Sequence, residues 1–230
     1  MKAYNKFFGC EIPIVSIYSD NKVIYDYDFV KVFAKFLKKR VKNGAHQNGV
    51  GYTGRTGSGK STCALDVIYE MDPDFDLDTN YIYTTTDFTH MLKKKKRNNV
   101  VLIDEGSIVL NSMNSQRKND VLLTVAFDNL RSFGGSYHIC IPNLNDLNNR
   151  IRANHIDFLV KCPVKSPIPG VSPKGFADLY VHQYRDWGKD YYKKVGTFIF
   201  PKLPKKIDDV YQRIKLEHQE RFIESMPEDE

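Results

Sequence analysis

Residues 51 to 62 read GYTGRTGSGKST. Gly54, Arg55, Thr56, Gly57, Ser58, Gly59, Lys60 and Ser61 fit the pattern G-x-x-x-x-G-K followed by Ser or Thr in full, and Thr62 extends it. The chemistry this suits is the grip on a phosphate chain. Several backbone N–H groups must turn inward together, and glycines allow that loop and the close approach of an anion. A helix starting just after the loop adds unpaired N–H groups and a partial positive charge. Lys60 would reach the β- and γ-phosphates as a point charge, and the Ser61 hydroxyl would be a ligand of Mg²⁺. The alternative is a glycine-rich turn with an incidental lysine.

A second piece of chemistry lies at NNVVLIDEGS, where four apolar residues lead into Asp104 and Glu105. Asp104 at the tip of a strand would hold the Mg²⁺ shell, in the crevice where ligands sit in open sheets. Glu105 would polarise an attacking water as general base. The competing reading makes the pair a helix N-cap with its first-turn charge. An acid directly after the strand aspartate favours water as acceptor. Hydrolysis of ATP is therefore expected, ahead of transfer to a small molecule as in a metabolic nucleotide kinase.

These residues need a scaffold that brings strand ends together. Val50–Thr53 reads as a strand, Lys60 to about Glu70 as a helix, YIYTT as a strand and DFTHMLKKKKR as a helix. VVLID is an apolar strand, RKNDVLLTVAFDNLR a helix, SYHICIP a strand, LNDLNNRIR a short helix and IDFLVKC a strand. Such alternation predicts a parallel sheet covered on both faces. Ahead of it, IPIVSIYSDNKVIYD reads as two strands around a turn at Ser19 to Asn21. DFVKVFAKFLKKRVK follows as an amphipathic helix burying Phe29, Val32, Phe33, Phe36 and Leu37. Behind it come a Pro/Gly-rich loop, a hairpin of FADLYVHQYR and KKVGTFIF turning at DWGKD, and a charged C-terminal helix. The expected fold is α/β, a P-loop NTPase (RecA/ASCE-like) mostly parallel sheet flanked by helices. It is organised as an N-terminal hairpin and helix (1–47), a P-loop ATPase core (48–162) and a basic C-terminal hairpin and helix (163–230).

Composition sets the outer bounds. The 230 residues are 41% hydrophobic and 13% aromatic, which suits a packed core and excludes a disordered chain. No apolar run reaches the length of a membrane span, and the N-terminus lacks a signal-peptide core, so no membrane partner is expected. Cys10, Cys63, Cys140 and Cys162 show no metal-ligand spacing. They read as structural thiols of a reducing compartment, which places the protein in the cytoplasm, or with a virion if viral. The net charge is +6, and residues 161–206 alone carry ten basic against three acidic side chains. That imbalance suits a polyanionic partner, or an ordinary solvated surface.

The acid-tipped strand, the following helix and NLRSFGGSYHICIPNLNDLNNRI together resemble the FtsK/HerA superfamily of P-loop motor ATPases. The resemblance covers roughly residues 48 to 161. It rests on RSFG at 131–134 and on HICIPN, where Asn143 stands in place of the usual glutamine and follows Pro142. What it implies is a ring of subunits, a hexamer or pentamer, that moves double-stranded DNA. The minimal size is closest to a viral genome-packaging ATPase, whose docking partner would be a capsid vertex. The resemblance further implies that Arg131 reaches the γ-phosphate held by the next subunit as a trans arginine finger, with Arg150 and Arg152 as rivals. Asn143 would touch the γ-phosphate or the lytic water. The plain alternatives are a cation at a helix C-terminus for Arg131 and a turn residue for Asn143. A morphogenesis protein similar to zonula occludens toxin and a plasmid DNA-transfer ATPase share the same core. Candidate DNA contacts are residues 111–119, with Arg117 and Lys118, and the basic segment 161–206. Residues 93–97 read as a solvated helix end, and Trp187 and its neighbouring tyrosines as a small core.

Overall fold

The computed structural model describes residues 1–18, 22–43, 47–94, 99–106, 127–128, 135–147, 149–163, 165–168, 170–172, 174–184 and 191–224. Among the described residues, ten strands form a sheet: β1 (Lys2–Asn5), β2 (Cys10–Tyr18), β3 (Lys22–Tyr25), β4 (Asn48–Thr53), β5 (Tyr81–Ile82), β6 (Asn99–Ile103), β7 (Gly135–Ile141), β8 (Phe158–Lys161), β9 (Phe176–Gln183) and β10 (Tyr191–Ile199). Their spatial order is β1-β2-β3-β10-β9-β8-β4-β7-β6-β5. The five strands β8, β4, β7, β6 and β5 are mutually parallel. β9 runs antiparallel to both β8 and β10, and β10 pairs parallel with β3. This is the mostly parallel α/β sheet expected from the alternating pattern.

The described helices are α1 (Asp28–Lys42), α2 (Lys60–Met71), α3 (Leu77–Asn80), α4 (Thr85–Lys94), α5 (Asn149–His155) and α6 (Lys205–Glu224). Strand alternation decides which face each residue serves. On β6, Val100 and Leu102 join the core packed by α1 and α2, while Val101 and Ile103 join a second core with Phe88, Met91 and Ile151 of α4 and α5. The apolar runs expected to be doubly buried strands are therefore covered on both sides. In α1, Phe29, Phe33 and Leu37 are fully buried at helical spacing, with Lys39, Arg40 and Lys42 in the last turn where the helix dipole favours cations. Val32 and Phe36 are half-buried; Phe36 packs edge-on to Phe8 and Phe158.

Three local expectations shift. β1 is an addition: KAYN carries too little apolar alternation to show as a strand, yet it pairs with β2 at the sheet edge, and the buried Asn5 donates its side-chain N–H to Val195 O of β10 (3.2 Å). β5 is two residues long, because Asp87 accepts from the backbone N–H of Tyr83 and Thr84 (3.2 and 2.8 Å) and starts α4 there. The segment LNDLNNRIR is a 3-10 turn at Leu144–Asp146 followed by α5.

Candidate functional site

The strand order puts one strand, β7, between β4, which feeds the glycine loop, and β6, which ends at Asp104. In-register pairing of Thr53 with Ile141, and of Ile103 with Ile139, brings the three strand tips to one rim. There Ser61 Oγ, in the first turn of α2, donates to Asp104 Oδ1 at 2.9 Å. The two motifs, 43 residues apart, thus meet directly. Asp104 is buried (1% exposed).

The loop closes on itself. Lys60 Nζ donates to the carbonyl oxygens of Gly54 (2.9 Å) and Arg55 (3.2 Å), and Ser58 N–H donates to Arg55 O at 3.0 Å. Gly59 has φ +90°, which strains any side chain, and a Cβ there would sit 3.2 Å from the Phe200 ring, which would have to shift. At Gly57, φ is +75° and nothing stands within 4 Å of a would-be Cβ. That open space at the loop apex, together with the buried unpartnered Ser58 Oγ, is what a cradle for a phosphate requires. A hydroxyl and a carboxylate oxygen 2.9 Å apart are a hard-oxygen pair of the kind Mg²⁺ takes. The residues present therefore fit a magnesium-bound nucleotide.

The cleft over this rim measures about 410 Å³. Thr56, Gly57, Gly59, Lys60, Ser61 and Thr62 form one wall, with Glu105 beside them. The opposite wall is C-terminal: Lys174, Gly175, Phe200, Pro201 and Lys202, then Tyr211, Gln212 and Lys215 of α6.

The acid pair is the hub between these walls. Asp104 Oδ2 accepts from Tyr211 Oη (2.7 Å), Tyr81 Oη (3.2 Å) and Lys215 Nζ (3.3 Å). Lys215 Nζ also lies 3.5 Å from Glu105 Oε1. Burial, then the charge of Asp104, pushes both phenols far above their ordinary range, so they stay protonated and donate. Burial alone would lower the Lys215 ammonium, but Asp104 and Glu105 outweigh it and raise it, so it stays charged. Glu105 has φ +48°, the only positive φ among described non-glycine residues. A left-handed backbone at a cleft-lining glutamate is the kind of strain functional sites hold.

Asn143 follows β7 and is exposed, outside the cleft lining. Its Oδ1 accepts from Asn145 N–H (3.0 Å), and its own N–H donates to Asp146 Oδ2 (2.9 Å) in a capping box. Arg152 bonds Asn145 and Asn149 (2.7 and 2.8 Å), and Arg150 is exposed on α5. Arg131, the RSFG stretch, Arg117, Lys118, the rest of 111–119, the turn at 19–21 and Trp187 lie outside the described residues, as do most of the 117–131 helix and residues 95–97. Tyr184 and Tyr191 of the terminal hairpin are exposed.

Sequence reasoning misses Tyr81, Tyr211, Lys215 and Phe200. The signal available is a stripe in the C-terminal helix, Tyr211, Lys215, His218 and Phe222, spaced as one helical face. His218 and Phe222 pack on Tyr83, and His218 Nδ1 lies 3.5 Å from Asp87. All four cysteines are free thiols, and no described helix is long and apolar enough to cross a membrane.

No family model and no curated protein matches this chain. Among solved structures it is similar to the Holliday junction branch migration motor RuvB of Thermotoga maritima, at 18% identity and TM-score 0.41, over 59% of this chain and 44% of that one. It is also similar to a DNA polymerase III gamma subunit-related protein of the same organism, at 9% identity and TM-score 0.42, over 57% of this chain and 46% of that one. A third is domain III of the Thermotoga maritima replication initiation protein DnaA, at 16% identity and TM-score 0.35, over 61% and 64%. This chain spans less than half the length of the first two.

Proposed function

We propose that the protein is a magnesium-dependent ATPase that uses hydrolysis to move double-stranded DNA, working as a homo-oligomeric ring. The observation that carries the ATPase reading is the contact of Ser61 with Asp104 beside a loop whose apex is open. Residues Gly54 to Thr62 hold the phosphates, with Lys60 leaving its two carbonyl partners for phosphate oxygens. Ser61 and Asp104 hold the metal. Magnesium, when bound, neutralises charge that builds on the phosphate oxygens. Glu105 takes the proton of a water whose oxygen attacks the γ-phosphorus, as the bond to the bridging oxygen breaks and ADP departs. With its Oδ1 accepting from the cap, Asn143 would meet that water or the γ-phosphate through its amide N–H₂. Arg131 is the trans finger of this reading. The DNA half rests on the basic balance of residues 161–206 and on the resemblance of the core to motor ATPases, and the genome-packaging role with a capsid-vertex partner is its most specific form.

The test is phosphate release with and without duplex DNA, run beside a mass measurement of the assembly. Wild type should turn over ATP faster with DNA, and Lys60→Ala should be inactive. Glu105→Gln should fall by roughly 10²- to 10⁴-fold. Equal rates for wild type and Glu105→Gln would remove the general base. Turnover indifferent to DNA would point to a nucleotide-dependent assembly protein.

A further inference from the structure

We infer that Lys215, on the C-terminal helix, is the cation with which the chain recognises the terminal phosphate of its own bound nucleotide. This rests on the nucleotide reading above. The ammonium has three oxygen partners: Asp104 Oδ2 at 3.3 Å, Tyr211 Oη at 3.3 Å and Glu105 Oε1 at 3.5 Å. It also lines the cleft that contains Gly57, Lys60 and Ser61. Two of its partners are therefore the acids assigned to metal and water.

A divalent cation arriving at Ser61 and Asp104 places like charge beside the ammonium and weakens its hold on the acid pair. The triphosphate arriving with that cation supplies new anionic oxygens in the same cleft. A lysine on a flexible four-carbon stem can change partners without movement of its helix. The helix itself is pinned on both sides of Lys215. One turn earlier Tyr211 bonds Asp104 at 2.7 Å, and nearly one turn later His218 stands against Asp87 and the rings of Tyr81 and Tyr83. Lys215 thus has an anionic partner in either state: the acids when no terminal phosphate is present, the phosphate when it is. A diphosphate lacks the terminal group, so discrimination falls on that group.

The test is equilibrium binding of a slowly hydrolysed ATP analogue and of ADP, each with magnesium, by calorimetry. It compares wild type, Lys215→Met and Lys215→Arg. Lys215→Met should weaken the triphosphate roughly tenfold or more and leave ADP within about twofold, as loss of one charge-assisted bond predicts. Lys215→Arg should restore the preference. Equal loss for both ligands, or no loss for either, would mean that Lys215 only braces the acid pair, and the inference falls while the nucleotide site stands. Wild type binding neither ligand overturns both readings. If Lys215→Met does not fold, Lys215→Gln, which can still donate to Asp104, takes its place: selective loss of the triphosphate upholds the inference, and equal or no loss overturns it.

Discussion

Tyr211→Phe isolates the shorter of two bonds that tie the C-terminal helix to Asp104. The phenol is buried (4% exposed) and its O–H reaches Asp104 Oδ2 at 2.7 Å. A hydrogen bond to a charged acceptor contributes about 1.5–3 kcal/mol. The carboxylate is not orphaned by the change, because Tyr81, Lys215 and Ser61 still donate to it. The cost therefore belongs at the lower end, about 1.5–2 kcal/mol. For a chain of this size that lowers Tm by about 3–8 °C. Urea unfolding gives the free energy directly, and the m-value should not change, since the same surface is exposed. Tyr81→Phe removes a longer bond to the same oxygen and should cost less. Because the two phenols share an acceptor, the double variant should depart from additivity by at least about 0.5 kcal/mol. If Tyr211→Phe unfolds at the wild-type midpoint, the phenol's bond to Asp104 does not hold the helix.

Two further outcomes follow from buried geometry. Burial, then the neighbouring Glu70, pushes the Asp66 carboxyl up to about 7. Its folded value exceeds its unfolded one, so from about pH 4 to pH 7 the unfolded chain has released a proton that the native state keeps, and stability falls as pH rises. Asp66→Asn should flatten that slope and be more stable than wild type at pH 8, by up to about 4 kcal/mol, while matching it near pH 4. Parallel pH profiles for the two proteins would refute this. At Gly57, where nothing stands within 4 Å of a would-be Cβ but φ is +75°, alanine should cost about 1–2 kcal/mol of stability and abolish nucleotide binding. Unchanged calorimetric affinity in Gly57→Ala would show that the open space is not a phosphate seat.

The glycine loop and the acid pair are legible because each is encoded in a few contiguous residues flanked by an apolar strand. Their meeting follows from strand order, with β7 between β4 and β6, which the alternation of helix and strand narrows but does not fix. The C-terminal wall is not legible for a different reason. Tyr211 and Lys215 stand 107 and 111 positions from Asp104, and a helix stripe shows which residues share a face but not what that face meets. Likewise, Asn143 reads equally as a sensor or as a cap, and only the position of Asp146 shows its oxygen engaged. Phe200 against Gly59 joins a loop near the C-terminus to the phosphate loop, a contact with no local signature.

The pairing of β3 with β10 joins two segments made far apart in time at the ribosome. Ile24 lies opposite Thr197 and Tyr25 opposite Phe198. At translation speeds of about 5–20 residues per second, β3 waits roughly ten to thirty seconds for the strand that covers its edge. Closing a loop that long adds only slowly growing entropy, but a non-local parallel pairing is slow to find. An early hairpin with one open flank is a hazard for association between nascent chains. Among the described strands, it is β10 that covers this edge.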